Sequence, residues 1–442
     1  VGKDIPCFAL TGPEAGSDAG AIPDIGVVCL REFEGEETLG LSLTWNKRYI
    51  TLAPVATVLG LAFQMRDPDG LLGDVKNIGI TCALIPTDHK GVEIGRRHNP
   101  LMMAFMNGTT SGEDVFIPLD WIIGGPQFAG KGWRMLVECL SAGRGISLPA
   151  LATASGHVCT KTTTAYSYVR QQFGMPIGLF EGVQEAMARI IANTYQLEAA
   201  RRLTTQGIDL KVKPSVVTAI AKYHMTELGR DVLEDAMDIQ SGKGIQLGPK
   251  NYLGHAYMAT PISITVEGAN ILTRSLMIFG QGATRCHPYV LAEMEAAAME
   301  DETSALDRFD SLLLGHIGYA MGNALRSFGS ALTGSRFASA PVSGPTQQYY
   351  RDMTRISSSL AIMTDLSMLI MGGDLKRKEM ISARMGDVLS QLYLASATLK
   401  LFEDNGRQQD DLPAVHYVMT ERLHLAAKAL NDAIRNFPSK IA

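Results

Sequence analysis

The chain has 442 residues, of which 46% are hydrophobic and 19% charged, and its formal net charge is −5. At roughly 150 residues per domain, this length predicts two or three domains with a substantial core. The charge balance argues against a surface that binds nucleic acid, which would need an excess of basic residues, and it is not acidic enough for a disordered chain. The six cysteines are scattered, without a C-x-x-C pair or a zinc-like spacing, which is typical of a reducing, cytoplasmic setting.

The sequence predicts neither a membrane span nor a signal peptide. The nearest candidate for a span, around residues 360–371, is interrupted by Asp365 and falls short of the roughly 18 apolar residues needed. The chain opens with Val1-Gly2-Lys3-Asp4, which has no signal-peptide pattern. Because this opening lacks Met and lies close to a motif, we expect that something upstream is missing.

Residues 1–125 are predicted to form a β domain. Short apolar or alternating runs at 26–30, 78–85 and 115–117 are typical of strands. Turn residues such as Pro68-Asp69-Gly70 and Asn107-Gly108 bound these runs.

Residues 126–298 are predicted to form a helical bundle domain, and residues 299–442 a helical C-terminal extension. Apolar residues recur at helical spacing over 183–197 and 217–232. Two further apolar stripes lie in the extension, on either side of Gly372-Gly373-Asp374. Their members are Met353, Ile356, Leu360, Met363 and Ile370, then Met385, Val388, Leu392, Ala395, Leu399 and Phe402.

The segment FALTGPEAGSD at 8–18 is rich in small residues. Thr11, Gly16 and Ser17 lie within a few positions of one another. Backbone N–H groups and hydroxyls in such a loop can approach a phosphate or a planar polar ligand. An ordinary surface turn has the same composition, and this segment alone favours the turn.

The segment WNKRYIT at 45–51 places Tyr49 two residues before Thr51. On a regular strand, this spacing puts both side chains on one face. The ring could then cover a flat cofactor while the hydroxyl binds its edge. An exposed strand with an aromatic residue is the simpler interpretation of this segment in isolation.

Together, five segments in order resemble the acyl-CoA dehydrogenase family. The first two are similar to its Thr-Glu-Pro-Gly-Ala-Gly-Ser-Asp loop and its Trp-Ile-Thr strand. The others are YVRQQFGMPI at 168–177, AMDIQSGKG at 236–244 and TVEGANILTR at 265–274, and all five lie within residues 8–274. The helical extension is similar to that of the larger, bacterial long-chain type.

The resemblance implies an α+β fold, with a β-barrel or sandwich domain followed by the helical bundle and the extension. It also implies that the family's N-terminal helical domain lies outside this chain, so that the chain is a fragment that binds flavin weakly. The activity implied is FAD-dependent α,β-dehydrogenation of a fatty acyl-CoA to trans-2-enoyl-CoA, as in fatty acid β-oxidation.

Glu267 falls on the position of the family's catalytic base, which removes the α-proton of the acyl thioester. Independently of the resemblance, apolar residues on both sides of Glu267, in the first turn of a predicted helix, predict a raised pKa that suits a general base. In the family, the flavin ribityl chain and the backbone N–H of the base polarise the thioester carbonyl. Val266 replaces the usual Tyr and Ala269 the usual Thr, so one flavin-side hydroxyl is lost.

The resemblance also implies the residues that bind the cofactor. Thr51 is placed near flavin N5 and Arg170 on the pyrophosphate across a subunit interface. Tyr49 stands for the usual Trp, Gly12 for the usual Glu of the first loop, and Asp238 for the usual Gln, which leaves the Asp238 contact open. The full set implied for FAD is Leu10, Thr11, Gly16, Ser17, Tyr49, Thr51, Arg170, Phe173, Asp238 and Gly242.

Ser17, Arg144 and Gly268 are implied on the substrate side. Arg144 matches a family arginine near the catalytic carboxylate, although a structural ion pair would explain it equally well. The nine histidines are unclustered in the sequence, and no metal site is predicted.

The partners implied are fatty acyl-CoA, an electron-transferring flavoprotein, and other copies of the chain in a homodimer or higher oligomer. The expected location is cytoplasmic, with peripheral contact at the inner membrane if the basic run Lys376-Arg377-Lys378 docks there. The alternative is that this run is a solvated loop and that both stripes of the extension pack on the bundle. Two other functions stay open: an acyl-CoA oxidase of the same fold, and a non-catalytic subunit that binds acyl-CoA or flavin.

Overall fold

The computed structural model describes residues 2–212 and 215–438, with the backbone alone at Ser141 and Ala142. The chain divides into two compact units, one ending at Leu140 and the other beginning at Ser141. The first is built around a β-sheet and the second is helical. The predicted helical extension belongs to the same compact unit as the bundle, and the division at residues 125 and 298 stays a prediction.

The first unit contains one seven-stranded sheet. Its strands follow the order β1-β4-β2-β3-β7-β6, and β5 pairs with β4 outside that path. Strand β4 runs parallel to β1 and β2, and the other pairs are antiparallel. The strands are β1 (Pro6–Ala9), β2 (Ile25–Phe33), β3 (Glu36–Thr51), β4 (Val58–Arg66), β5 (Asn77–Pro86), β6 (Glu93–Arg97) and β7 (Asn107–Pro118).

The three predicted strand runs lie in β2, β5 and β7, and are confirmed. Along β3, every second residue from Leu41 to Trp45 is buried, which is the pattern of a strand with one face on the core. The predicted α+β class, with a β domain ahead of helices, is therefore confirmed.

The second unit is helical and includes one short β-hairpin, β8 (Gln171–Gln172) with β9 (Met175–Pro176). Within the described residues, six helices of more than 20 residues contribute to its buried clusters, and α10 is a seventh helix of that length. The helices are α1 (Gly132–Arg144), which crosses the boundary, α2 (Ser147–Val169), α3 (Glu181–Asp209), α4 (Ser215–Gln240), α5 (Gly242–Ile245), α6 (Gly254–Thr265), α7 (Asn270–Leu272), α8 (Gly282–Cys286), α9 (Val290–Ala297), α10 (Glu302–Thr333), α11 (Gln347–Met371), α12 (Glu379–Asp404) and α13 (Leu412–Arg435).

Helix α12 of the extension is part of the bundle core. Its Leu394 packs with Leu197 of α3 and Met225 of α4, and its Ala397 and Leu401 pack with Ala199 of α3. The apolar stripe predicted over 385–402 therefore packs on the bundle, which is one of the two alternatives for it.

Within the described residues, one helical stretch, Gln347–Lys376, reaches the length and mean hydropathy (1.3) of a membrane span. Length and composition alone support a span, and a core helix meets the same criteria. Ile356, Leu360 and Met363 of this stretch are buried in a cluster with α12 and α13. We therefore describe α11 as a packed helix of the second unit.

Candidate active site

Glu267 lies in the short loop between α6 and α7, with backbone φ of +56°. Gly268 follows with φ of +92°. The expectation that Glu267 lies in the first turn of a helix is wrong, because α7 begins only at Asn270. A left-handed glutamate costs free energy, so the loop must be held by its surroundings.

Lys222 of α4 holds this loop from inside the protein. Its side chain is completely buried, and its Nζ donates to the carbonyl oxygens of Ile264 at 3.1 Å and Gly268 at 2.7 Å. A third bond, at 2.7 Å, goes to Oδ1 of Asn270, the first residue of α7. The three hydrogens of the ammonium group thus fix both ends of the loop that carries Glu267.

Asn270 continues the network on the far side of Lys222. Its Nδ2 donates to Glu227 Oε1 at 2.7 Å and to Thr226 Oγ1 at 3.0 Å, both on α4. All members of this chain of hydrogen bonds lie on α4 or within residues 264–270. Sequence reasoning missed Lys222 and Asn270, because a lysine inside an apolar helical stripe has no pattern that predicts burial.

The carboxylate of Glu267 faces two cations, Arg144 and Lys222. Although Glu267 keeps some solvent access, partial burial raises its pKa, and the charges of Arg144 and Lys222 oppose that rise. The direction confirms the expectation of a raised pKa, but the surroundings are charged rather than purely apolar. Among the described residues, the N–H of Glu267 has no acceptor.

Arg144, at the end of α1, is half-buried beside Gly268. Its Nη2 lies 3.5 Å from the place where a Cβ on Gly268 would stand. Burial lowers the pKa of Arg144 and the charge of Glu267 raises it. Its buried Nε meets no acceptor in the described part of the chain, so this donor of the guanidinium is left unsatisfied.

In the first unit, the loop at residues 10–17 is attached to strand β3. The buried Nζ of Lys47 donates to the Leu10 carbonyl at 2.8 Å and forms a buried ion pair with Asp24. The N–H of Arg48 donates to the Thr11 carbonyl at 3.0 Å. A Cβ on Gly12 would lie 3.0 Å from the Asn46 carbonyl, which shows how closely the loop approaches the backbone of β3.

The far end of the same loop is open. Gly16 and Ser17 are exposed, and a Cβ on Gly16 would meet no described atom within 4 Å. Ala15, between Gly12 and this open part of the loop, is buried in the first unit. The loop is therefore anchored at one end and accessible at the other.

Tyr49 and Thr51 lie at a bulge of β3. The pairing with β7 shifts between Lys47 and Ile50, and Tyr49 has φ of +62°. Bulges re-aim side chains and are frequent beside active sites. Tyr49 is 57% exposed and Thr51 is exposed, while Ile50 between them is buried, so both predicted residues face solvent.

His98 stands beside Tyr49 and was missed by sequence reasoning. The Tyr49 N–H donates to His98 Nε2 at 3.3 Å, and the two ring centroids are 5.3 Å apart. On the other side, the Arg48 guanidinium lies 4.9 Å from the Tyr49 ring. Thr51 Oγ1 accepts a long bond of 3.4 Å from Asn107 Nδ2, which leaves its own hydrogen for another acceptor.

Arg170 ends α2 and begins the hairpin of β8 and β9. The turn residues Phe173 and Gly174 both have positive φ, which suits a two-residue hairpin. Arg170 is exposed and Phe173 is 93% exposed. An aromatic side chain this exposed is available for contact with a ligand or another subunit.

Asp238 lies in the last turn of α4 and Gly242 begins α5, and both are exposed. Lys243 lies over the ring of Tyr166, at 5.0 Å from its centroid. Since Tyr166 is one turn before Arg170 on α2, the segments that carry Arg170 and Gly242 are neighbours. The structure thus groups the predicted residues into three places: the 10–17 loop with Tyr49 and Thr51, the Arg170 and Gly242 segments, and the Glu267 loop with Arg144 and Gly268.

The expectation that the histidines are unclustered is wrong for His287 and His316. Their ring centroids are 4.8 Å apart, and both bind Asp365 Oδ1, at 2.8 and 3.3 Å. The Nδ1 atom of His287 accepts the backbone N–H groups of Tyr289 and Val290 at 3.2 Å, so its proton is on Nε2 and points at Asp365. To bind a metal next to Asp365, His287 would need a lone pair on Nε2, which carries the proton. The arrangement therefore suits a hydrogen-bonded network better than a set of metal ligands.

Three family models match the chain in sequence. The acyl-CoA dehydrogenase middle domain matches residues 7–115, the C-terminal domain residues 130–278, and the bacterial-type C-terminal domain residues 284–442. This chain belongs to the acyl-CoA dehydrogenase family.

Two relatives match different shares of the chain. Probable acyl-CoA dehydrogenase FadE10 of Mycobacterium tuberculosis is 27% identical over 269 residues, which are 60% of this chain and 39% of that protein. Protein HemX of Proteus mirabilis is 70% identical over 92 residues, which are 21% of this chain and 54% of that protein. The chain thus spans about half the length, or less, of these curated relatives.

A solved structure shares the fold over nearly the whole chain. The acyl-CoA dehydrogenase of Bacillus anthracis, complexed with FAD, has a TM-score of 0.77 at 17% identity and covers 98% of this chain and 70% of its own. The family's cofactor is FAD, and several features of this chain fit it. They are the exposed aromatic at a strand bulge, the open end of the 10–17 loop, and the buried Nε of Arg48, which has no acceptor among the described residues.

Proposed function

We propose that this chain carries the catalytic part of an FAD-dependent acyl-CoA dehydrogenase that converts a fatty acyl-CoA to its trans-2-enoyl-CoA in fatty acid β-oxidation. The observation that carries the proposal is the Glu267 loop. A glutamate with raised pKa lies in a left-handed loop, held by a buried lysine and faced by a half-buried arginine. A carboxylate whose pKa is raised by burial suits proton abstraction next to a carbonyl.

Glu267 would take the α-proton of the thioester. Its free backbone N–H would donate to the thioester oxygen and stabilise the negative charge that develops there. Arg144 and Lys222 would keep the carboxylate ionised before the reaction, because their charges oppose the rise of its pKa. When bound, FAD would accept the β-hydrogen as hydride.

The residues of the first unit would hold the cofactor. Tyr49 would cover the flavin ring system and Thr51 Oγ1 would donate to its edge. Leu10, Thr11, Gly16 and Ser17 would contact the flavin, its pyrophosphate or the thioester end through the open part of their loop. In the second unit, Phe173, Asp238 and Gly242 would bind FAD together with Arg170. Ser17, Arg144 and Gly268 would bind the substrate.

The partners of the proposed enzyme are fatty acyl-CoA, an electron-transferring flavoprotein as electron acceptor, and other copies of the chain. We propose a cytoplasmic location. Peripheral contact at the inner membrane would use Lys376, Arg377 and Lys378. The ion pair of Arg377 with Asp374, at 2.8 Å, offsets part of this basic charge and argues against the contact.

The test is anaerobic titration of the FAD-loaded protein with a fatty acyl-CoA. Bleaching of the flavin absorbance would support the enzyme, and stable yellow colour after binding would instead support a non-catalytic subunit. Re-oxidation in air then separates the two enzymes, since fast re-oxidation by O₂ would indicate an acyl-CoA oxidase.

The role of Arg170 has its own test. Arg170→Ala should weaken FAD retention by roughly 10- to 100-fold, because a charge-assisted bond to phosphate contributes about 1.5–3 kcal/mol. The measurement is flavin occupancy after dilution and gel filtration, with Arg435→Ala, at the end of α13, as a matched control. Full occupancy in Arg170→Ala would rule out the phosphate role.

A further inference from the structure

Arg274 is the last residue of the segment that carries Glu267, and the proposed reaction gives it no role. It lies in Thr273–Met277, a π-helical turn that follows α7 directly. The Ile278 N–H donates to the Thr273 carbonyl at 3.2 Å, five residues back, which is the spacing of a π-helix. Such turns are rare and are frequently found at functional sites.

The inner side of the π-helical turn contacts the Glu267 loop and Arg144. Thr273 is completely buried, and its Oγ1 donates to the Gly268 carbonyl at 3.3 Å. The Nη1 atom of Arg144 lies 3.7 Å from the sulfur of Met277. The first and last residues of the turn thus contact the neighbour of the proposed base and one of the two cations that face it.

The outer side of the turn is held by the C-terminal extension. Arg274 Nε lies 2.9 and 3.1 Å from the two carboxylate oxygens of Asp387 on α12, and Arg274 Nη2 lies 2.5 Å from Oδ2. The pair is partly buried, with 38% of the Arg274 side chain and 21% of the Asp387 side chain exposed. A forked ion pair of this kind fixes orientation as well as distance.

The backbone of α12 also lies close to this segment. A Cβ on Gly386, next to Asp387, would lie 3.5 Å from the Arg274 carbonyl oxygen. A Cβ on Gly280, just after the turn, would lie 2.9 Å from Ser382 Oγ of α12, which is closer than such atoms normally approach. Because the two segments pack this closely, a shift of one of them would displace the other.

Other charged groups lie near the pair. The titratable and charged side chains that line the same cavity as Arg274 and Asp387 are Tyr223, Arg384, Lys428 and Asp432. Lys428 pairs with Asp432 at 3.0 Å, and Arg384 Nη1 donates to a backbone carbonyl of its own helix at 3.1 Å. Of the two carboxylates in this cavity, Asp387 is therefore the direct partner of Arg274.

We infer that Asp387, in the C-terminal extension, is a positioning residue for Glu267 and acts through Arg274 and the π-helical turn. The role of Glu267 in this inference rests on the proposed function, whereas the contacts are those of the structure. Without the carboxylate, the turn loses its outer attachment, and Thr273 and Met277 hold Gly268 and Arg144 less firmly. The extension thus takes part in the reaction from outside the Glu267 loop.

Hydrogen exchange of the peptide that covers residues 264–278, read by mass spectrometry in the FAD-loaded chain, tests the inference without any turnover. Asp387→Asn keeps the shape and removes the charge. Exchange of this peptide should become at least ~5-fold faster, because local opening no longer breaks a charge-assisted ion pair. Asp387→Glu keeps the carboxylate and should stay within ~2-fold of the unchanged chain.

The ion pair of Arg189 and Asp235, between α3 and α4, supplies a matched control. Arg189 Nε lies 3.2 and 3.0 Å from the two oxygens of Asp235, and 40% and 15% of the two side chains are exposed. Asp235→Asn therefore removes a charge from the same kind of pair. It should lower the thermal unfolding temperature about as much as Asp387→Asn does, but leave exchange of residues 264–278 unchanged.

The pH dependence of flavin reduction by acyl-CoA is a second readout. The charges of Arg144 and Lys222 lower the pKa of Glu267. If Arg144 is held less firmly in Asp387→Asn, the pKa of Glu267 rises, and the increase of the rate with pH moves to higher pH. Removal of a negative charge would by itself favour the ionised form of Glu267 and move the profile to lower pH. A shift to higher pH therefore reports the position of Arg144.

Several results would overturn the inference: unchanged exchange in Asp387→Asn, equal acceleration in Asp235→Asn, acceleration in Asp387→Glu as large as in Asp387→Asn, or a pH profile moved to lower pH. If Asp387→Asn does not fold, Arg274→Lys takes its place, since it keeps the charge and loses the fork. A flavin that acyl-CoA does not bleach in the unchanged chain, with exchange responding as expected, would contradict the proposed reaction and still support the attachment of the Glu267 loop through Asp387.

Discussion

Two fully buried lysines, one in each unit, hold the two candidate site loops. Lys47 binds the Leu10 carbonyl and pairs with the carboxylate of Asp24. Lys222 binds the Gly268 carbonyl but has only neutral oxygens as direct partners. Burial lowers the pKa of both lysines, that of Lys222 to about 8.

The difference lies in where each positive charge acts. Asp24 neutralises Lys47, so this lysine serves mainly as an anchor for the 10–17 loop. The charge of Lys222 is left to act on Glu267, whose pKa it lowers. A buried lysine without a carboxylate partner is costly, and such a cost is typically found at functional sites.

The largest expected effect concerns Glu267, the target of the Lys222 charge. Glu267→Gln keeps the shape and removes the base, so we expect the rate of flavin reduction by acyl-CoA to fall by at least ~10²–10⁴-fold. FAD content and thermal unfolding should stay close to those of the unchanged protein. Near-normal anaerobic bleaching in this variant would mean that another group removes the proton.

Lys47 should have the larger effect on stability. Lys47→Met leaves Asp24 buried without its partner and should lower the free energy of unfolding by about 3–5 kcal/mol. Combining Lys47→Met with Asp24→Leu should recover most of that loss, because no isolated charge remains. Urea unfolding of the unchanged protein and these two variants measures this, and a loss below 1 kcal/mol in Lys47→Met would contradict the anchoring role.

Lys222 should have the larger effect on the pH dependence of the reaction. Lys222→Met removes a charge that lowers the pKa of Glu267, so the rise of the flavin reduction rate with pH should move to higher pH. A merely structural role would lower the rate equally at every pH. Lys428→Met, which breaks an exposed pair with Asp432, is the control and should leave the pH profile unchanged.

The smallest expected effect is a pH dependence of stability from the same lysine. The folded-state pKa of about 8 is below the ordinary value, so between pH 8 and roughly 10.4 the unfolded state binds more protons. Stability from Lys222 should therefore rise with pH across this window, by at most ~3 kcal/mol. In calorimetry, the free energy of unfolding of the unchanged protein minus that of Lys222→Met should rise from pH 7.5 to 10, and a constant difference would contradict the lowered pKa.

Much of the fold followed from local patterns. Alternation predicted parts of β2, β5 and β7, and the 3.6-residue period predicted α3, α4, α11 and α12. The period predicted no stripe within α10, and it could not say which face of a helix the rest of the protein covers. That choice depends on partners distant in sequence, such as Asp365 for His316.

In the candidate site, only the residues that lie in recognisable motifs could be predicted from the sequence. Glu267 and Tyr49 could be named from the resemblance, but their left-handed backbone could not, since nothing in the residue type indicates it. Lys222 and Lys47 were missed because their burial depends on carbonyls supplied by the folded loops. The motif thus identifies the reacting groups, and the packed structure identifies the groups that hold them in place and change their pKa.

The left-handed backbone of Glu267 has a consequence for protein engineering. Glycine adopts this φ without the steric cost that glutamate incurs, so Glu267→Gly would relieve roughly 1 kcal/mol of strain at the expense of the base. A library screened only for heat resistance would therefore enrich inactive variants at this position. Stabilisation campaigns on this protein need an activity filter from the first round.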